Sequence, residues 1–215
     1  MAKYLIHSCN KRKWYVDQFL VPSMIKQGIN QDDILVYNDN TKAGCLPSFI
    51  ESAKMILDEP GGVWHLQDDV IISSWFKRIT EEFDRGIVCG FCSYYSKDVQ
   101  SGCRPINDLW YSFPCIRIPN SILKGFIEWL SSASVQNKYQ AYIKERKFVD
   151  TLFRIYVLDE HHKEIVRNLN PNIVDNVDYL LGGSTINYAR AEKPVSLYFQ
   201  ESELIEKLKM ELSKR

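Results

Sequence analysis

Short apolar runs alternate with amphipathic stretches through the first third of the chain. Residues 3–7, Lys-Tyr-Leu-Ile-His, read as a strand ending in the polar loop Ser8, Cys9, Asn10. Trp14, Val16, Phe19, Leu20 and Ile25 give residues 11–27 a broadly helical pattern, which Pro22 must start, kink or break and Gly28 ends. A second strand over 34–37 stops at Asn38, Asp39 and Asn40. Pro47 suits a first helical turn, and Phe49, Ile50, Ala53, Ile56 and Leu57 then recur on one helical face. Pro60-Gly61-Gly62 is a stop and a turn, and a third strand follows over 63–66. Strand, helix, strand, helix, strand is the pattern of a parallel sheet with right-handed crossovers. The fold class expected is therefore α/β, a Rossmann-like, mostly parallel sheet flanked by helices.

Beyond residue 70 the pattern predicts a helix from Trp75 to about Phe83, capped by Ser74, and a fourth strand over 87–93. Residues 94–110 are polar and loop-rich. A strand is expected over 115–118, a helix over 121–130, and a longer helix from Gln136 or Tyr139 to about Val157, ending near His161 and His162. Gly182-Gly183-Ser184 forms a turn, and a charged amphipathic helix over 202–213 puts Leu204, Leu208 and Leu212 on one face.

A length of 215 residues suits a single domain, and a hydrophobic content of 45% is enough to build its core. The 27 basic and 27 acidic residues cancel, so the net charge calls for neither a polyanion nor a membrane surface as partner. No segment is long and apolar enough to span a bilayer, and the first residues lack the apolar stretch of a signal peptide, so a cytoplasmic location is expected. The six cysteines then read as free thiols rather than disulfides.

The chemistry concentrates at Gln67-Asp68-Asp69, where two adjacent carboxylates interrupt the apolar runs 63–66 and 70–72. Burying an unpaired carboxylate is costly unless it is protonated, paired or bound to a metal. A pair at a strand end is a natural ligand set for a hard divalent cation. Parallel strands open their carboxyl ends on one sheet edge, where ligands of open α/β sheets bind, and there Ser8, Asn38, Asp39, Asp68 and Asp69 would converge. The Gly-rich dinucleotide fingerprint and the P-loop pattern are both absent, so any phosphate must be held another way.

Residues 39–44, Asp-Asn-Thr-Lys-Ala-Gly, with the helix after them and the run 63–70 ending in Gln67-Asp68-Asp69-Val70, resemble the nucleotide-sugar half of GT-A glycosyltransferases. In that family an acidic D-x-D-type motif ends a central strand and holds Mn²⁺ or Mg²⁺ against the donor diphosphate. The resemblance covers roughly residues 3–93, and the first motif position is Gln67 rather than an acid. It implies Asp69 as a metal ligand, Asp68 as a metal, ribose or sugar contact, and Ser8, Asn38, Asp39 and Lys42 around the nucleoside, with uridine the family's default base. By the same resemblance residues 1–93 form the nucleotide-sugar half, 94–201 the acceptor half and 202–215 a terminal helix. The pattern is also similar to small phage-encoded glycosyltransferases. The implied acceptor is a glycan, or a hydroxylated base in phage DNA, and for a phage protein the location would be the host cytoplasm.

An inverting transfer needs a general base from the second half of the chain. Asp150, set among the apolar residues of 147–153, is the first candidate, and Asp178 in 174–179 the second. Asn176 or Asp178 stands where similar enzymes carry a late metal or phosphate ligand. The aromatic run 110–114 could stack on a sugar or base. Two rivals remain: a metal-dependent phosphohydrolase or nuclease using Asp68 and Asp69, and a non-catalytic module in which Cys89, Cys92, Cys103 and Cys115 bind structural zinc. His7 and His65 fall within strands and are expected to pack rather than to bind metal.

Overall fold

Tyr4 and Ile6 on one side of the first strand, and Leu5 on the other, are all buried, so this strand needs a covering layer on each face. The computed structural model describes residues 2–91, 102–105, 113–146, 149–160, 166–170, 172–178, 180–182 and 202–214, and it supplies both layers.

The expected opening is present. Strand β1 (Lys3–Cys9) leads through α1 (Lys13–Tyr15), a π turn over Val16–Leu20 and α2 (Val21–Lys26) to β2 (Ile34–Asp39). Pro22 lies in the first turn of α2, where its missing N–H costs nothing. Helix α3 (Cys45–Lys54) returns the chain to β3 (Gly62–Gln67), and both β2 and β3 pair with β1 in parallel.

The acidic turn joins β3 to β4 (Val70–Ile72), and α4 (Phe76–Glu82) and β5 (Ile87–Cys89) follow. Ser74 does not cap α4: Trp75 holds the N-cap position without a side-chain hydrogen bond. Then come β6 (Gly102–Pro105), β7 (Cys115–Pro119) and α5 (Asn120–Ser131). The single long helix expected over 136–157 is divided into α6 (Ala133–Lys138), α7 (Gln140–Glu145) and α8 (Val149–Ile155), with a π turn over Tyr156–Glu160. Arg146, at φ 56°, stops α7 by turning left-handed. Strands β8 (Val166–Asn170) and β9 (Val174–Asn176) and helix α9 (Ser202–Ser213) complete the described chain.

Among the described residues the main sheet has seven strands in the order β2-β1-β3-β7-β5-β8-β6. The chain is thus α/β, with a Rossmann-like parallel core. Five strands run the same way, while β7 and β6 run against them, so half of the pairings are antiparallel. One sheet crosses both halves of the sequence. On one face Tyr15, Leu20, Met24, Phe76, Ile205 and Leu208 form the first core with β1, β3 and β4. On the other, Phe49, Leu123, Phe126, Leu152 and Phe153 of α3, α5 and α8 form the second.

Within the second core lies a buried polar chain. The Ser52 hydroxyl has one proton and donates it to the Phe49 carbonyl at 2.8 Å, so its oxygen accepts from His7 Nδ1, also at 2.8 Å. His7 Nε2 must then accept from His65 Nδ1 at 3.0 Å. This leaves His65 Nε2 as an unprotonated buried acceptor with no partner. The two imidazoles stack, and the His7 ring also stacks on Phe49. Burial lowers His7 to about 3 and holds His65 well below the ordinary 6.5, helped by the neighbouring His7. Both histidines pack, as the sequence suggested.

The sign of the pH effect follows. Below pH 6.5 the unfolded chain binds protons that folded His7 refuses until about 3, so stability falls as pH falls through that window. The slope is about 1.4 kcal/mol per pH unit for each histidine. His65→Leu is expected to flatten the loss of stability on acidification, measured as urea midpoints from neutral pH down to about pH 4. An unchanged slope would mean that the imidazoles do not govern it.

Candidate functional site

The parallel register decides which residues meet. Ser8 pairs with Asn38 and Cys9 with Asp39 across β1 and β2, and His7 pairs with Gln67 across β1 and β3. The three strand ends therefore lie side by side on one sheet edge, as the βαβαβ pattern implied.

Asp68 and Asp69 are buried, each only 8% exposed. Their partner is Arg12, which is 2% exposed and ranks among the largest fully buried side chains. Arg12 Nη1 reaches Asp68 Oδ1 at 3.2 Å and Asp69 Oδ2 at 2.5 Å. The Cys9 N–H donates to Asp68 Oδ2 at 3.1 Å. Among the described residues Asp69 Oδ1 has no hydrogen-bond partner. Burial and the adjacent Asp69 charge raise Asp68 to about 6, against the pull of Arg12, the Cys9 amide and the Ser8 hydroxyl. Ser8 thus serves the acid pair from the loop expected to touch a base.

Sequence reasoning missed Arg12, which reads as one of three consecutive basic residues on a helix surface. The available signal was electrostatic. Two buried carboxylates at the end of β3 need a cation, and the loop after the neighbouring strand β1 carries one.

The second strand end is polar and more open. Asn38 donates its amide to the side chains of Asn10 at 2.6 Å and Asn40 at 2.8 Å, and its Oδ1 has no hydrogen-bond partner. Asp39 Oδ1 accepts from both the amide and the hydroxyl of Thr41 at 2.7 Å. Burial works to raise the Asp39 carboxyl, but hydrogen bonds from Thr41, Ser48 and the Lys42 amide outweigh it and keep it ionised below its ordinary value. Lys42 is exposed and left-handed at φ 55°.

Asp150 lies in the first turn of α8, half-buried, with its Oδ1 accepting from the Thr151 amide at 2.8 Å. Burial raises it above the ordinary carboxylate value. The thiol of Cys45, at the start of α3, lies within electrostatic range of Asp150. Burial pushes Cys45 up to about 11, and the charges of Asp150, Asp68, Asp39 and Asp69 push the same way. Four of the carboxylates singled out from the sequence therefore act electrostatically on this one thiol.

Asp178 arrives from the opposite side. Antiparallel pairing of β9 with β4 places Asn176 opposite Val70, and the Val177 amide then donates to the Asp69 carbonyl at 2.7 Å. Asp178 is buried, and its amide donates to Asn176 Oδ1 at 2.8 Å.

Asp68 and Asp69 offer hard oxygen donors, and the unpartnered Asp69 Oδ1 is a buried acceptor suited to a divalent cation. Among the described residues there is no group of three or more His, Cys, Asp or Glu arranged to hold a metal. The pair nevertheless fits Mg²⁺-like binding, in which one or two carboxylates are completed by substrate phosphates and water.

Of the four cysteines considered for zinc, Cys89 and Cys115 can be placed, and they fall on opposite faces of the sheet. Gly90 faces Cys115, where an added Cβ would sit 2.8 Å from the sulfur, so Cys89 points to the other side of the sheet. Cys89 belongs to the second core and Cys115 to the first, and neither forms a disulfide. Cys92, residues 110–112, His161, His162, Gly183 and Ser184 lie outside the described residues, as does the side chain of Cys103.

Comparison with protein-family models and with curated proteins gave no match. No helix among the described residues is long and apolar enough to cross a membrane.

A backbone contact joins the start of α3 to the end of α7. The Leu46 amide donates to the Arg146 carbonyl at 3.0 Å, and Gly44 sits at φ 99° against Arg146. An added Cβ there would lie 2.8 Å from Arg146 Cβ and 2.9 Å from its carbonyl oxygen. Gly44→Ala combines backbone strain with a clash against backbone, and is expected to cost about 1–3 kcal/mol in chemical unfolding. A neutral substitution would show that this contact does not set the loop.

Proposed function

We propose that this chain is a metal-dependent glycosyltransferase of GT-A type, moving a sugar from a nucleotide diphosphate sugar to a hydroxyl acceptor. One observation carries the reading: a buried acid pair with an unpartnered carboxylate oxygen closes the third parallel strand, beside the polar ends of the first two. The resemblance of residues 3–93 to the donor half of that family points the same way.

On this reading Asp69, with Asp68, would hold Mn²⁺ or Mg²⁺. When bound, such an ion supplies Lewis-acid stabilisation of the diphosphate leaving group. The chain's own residues do the rest. Asn38 Oδ1 is a buried acceptor with no hydrogen-bond partner among the described residues, and it would accept from a base N–H once the Asn10 and Asn40 contacts around it open. Asp39, held ionised by Thr41, can accept from a ribose hydroxyl. Lys42, exposed on the same loop, can reach a phosphate. UDP is the default nucleotide by resemblance.

Asp150 is the first candidate for the general base, because burial raises its proton affinity and its charge acts on the same thiol as those of the pair. Asp178 is the second, placed beside Asp69 through the Val177 amide. A glycan, or a hydroxylated base in phage DNA, is the acceptor we propose. The phosphohydrolase rival would need further carboxylates turned onto the pair to hold two metals. Asp39, the nearest such group by register, is instead engaged by Thr41.

A thermal-shift screen of nucleoside diphosphates and nucleotide sugars, with and without Mn²⁺, tests the proposal. A matching donor with Mn²⁺ at about a hundredfold excess over its Kd is expected to raise Tm by roughly 5–10 °C. Asp69→Ala should abolish that gain. No shift with any nucleoside diphosphate or nucleotide sugar would overturn the reading.

A further inference from the structure

Arg12 occupies the position that a cation shared by the two carboxylates would take. A single nitrogen, Nη1, contacts one oxygen of each acid, at 3.2 Å on Asp68 and 2.5 Å on Asp69. A third oxygen, Asp68 Oδ2, accepts from the Cys9 amide at 3.1 Å. Asp69 Oδ1 has no partner among the described residues. An ion bound by both acids must therefore share or take an oxygen that is already engaged, and it must approach a guanidinium of its own sign.

Charge counting sets the direction. Two carboxylates and one guanidinium leave a single negative charge in a buried site. A divalent ion added to that set makes it net positive, whereas an ion in place of the guanidinium makes it neutral. Burial penalises the first state more than the second.

Resting on the metal reading above, we propose that Arg12 is a resident counter-ion that competes with the divalent cation for the acid pair. It holds Asp68 and Asp69 together in the unloaded protein and yields the shared position when the ion enters. Its backbone stays fixed while this happens. The Arg12 amide donates to the Cys9 carbonyl at 2.9 Å, and one turn on, the Tyr15 hydroxyl donates to the Val70 carbonyl at 2.8 Å. Only the side chain needs to move, outward along the sheet edge toward the place of an anionic donor. Arg12 is thus a positioning residue whose effect is on metal affinity.

Mn²⁺ alone is the probe, titrated calorimetrically into the full chain and its Arg12→Gln and Arg12→Lys variants, with melting temperatures recorded without metal. Arg12→Gln is expected to melt lower without metal and to bind Mn²⁺ about tenfold more tightly or better, a gain of about 1.4 kcal/mol. Arg12→Lys, whose single ammonium bridges less well, should fall between. Should Arg12→Gln fail to fold without metal, Arg12→Lys carries the comparison. Binding to wild type with equal or weaker binding to the variants overturns the competition and leaves the metal reading standing. Absence of Mn²⁺ binding in all three overturns both.

Discussion

Two adjacent carboxylates cannot both stay ionised in a buried turn without a positive charge beside them. Arg12 provides it, and the surrounding structure follows from that requirement. The loop after β1 must bring a long side chain inward across the end of β3, which fixes how α1 begins. Tyr15, the last residue of α1, lies beneath that turn and is stacked on Phe19. Burial and the two acid charges keep its phenol protonated, so its hydroxyl remains a donor to the strand that follows the pair. The first core is thus arranged around an ion pair at its rim as much as around its aliphatic centre.

The second core meets its polar burden differently. His7 and His65 lie one residue before Ser8 and two before Gln67-containing chemistry begins, yet they carry no charge. Their hydrogen-bonded order, from His65 to His7 to Ser52 to the Phe49 carbonyl, sets one tautomer for each ring. The two faces of one sheet thereby solve the same problem in opposite ways, by pairing charges above and by excluding them below.

The opening βαβαβ unit was legible because its elements are short, periodic and separated by strong stops at Gly28 and Pro60-Gly61-Gly62. The acid pair was legible because carboxylates between apolar runs are conspicuous. The fold beyond residue 94 was less so. Strands β8 and β9 carry Arg167, Asn168, Asp175 and Asn176 among few apolar residues, so no alternating pattern marks them. The break after α7 rests on Arg146 adopting a left-handed backbone, which nothing in an arginine announces. Arg12 was hidden for a related reason: its role depends on which strand lies beside β1, a long-range fact that local periodicity does not contain.

The pairing of β4 with β9 has a consequence for a shortened chain. Strands β1, β2 and β3 pair across 30 and 60 residues of chain, Tyr4 with Ile34 and Lys3 with Val63. The backbone carbonyl of Asp69, by contrast, is met only by the Val177 amide, after most of the chain has been made. Contacts so far apart in the chain raise the contact order and slow folding. The side chain of Asp68 meets Arg12 across 56 residues, while the turn that carries the pair takes its backbone support from Val177, far along the chain. A chain ending before Val174 would therefore carry its acids and their counter-ion without the strand that fixes their backbone.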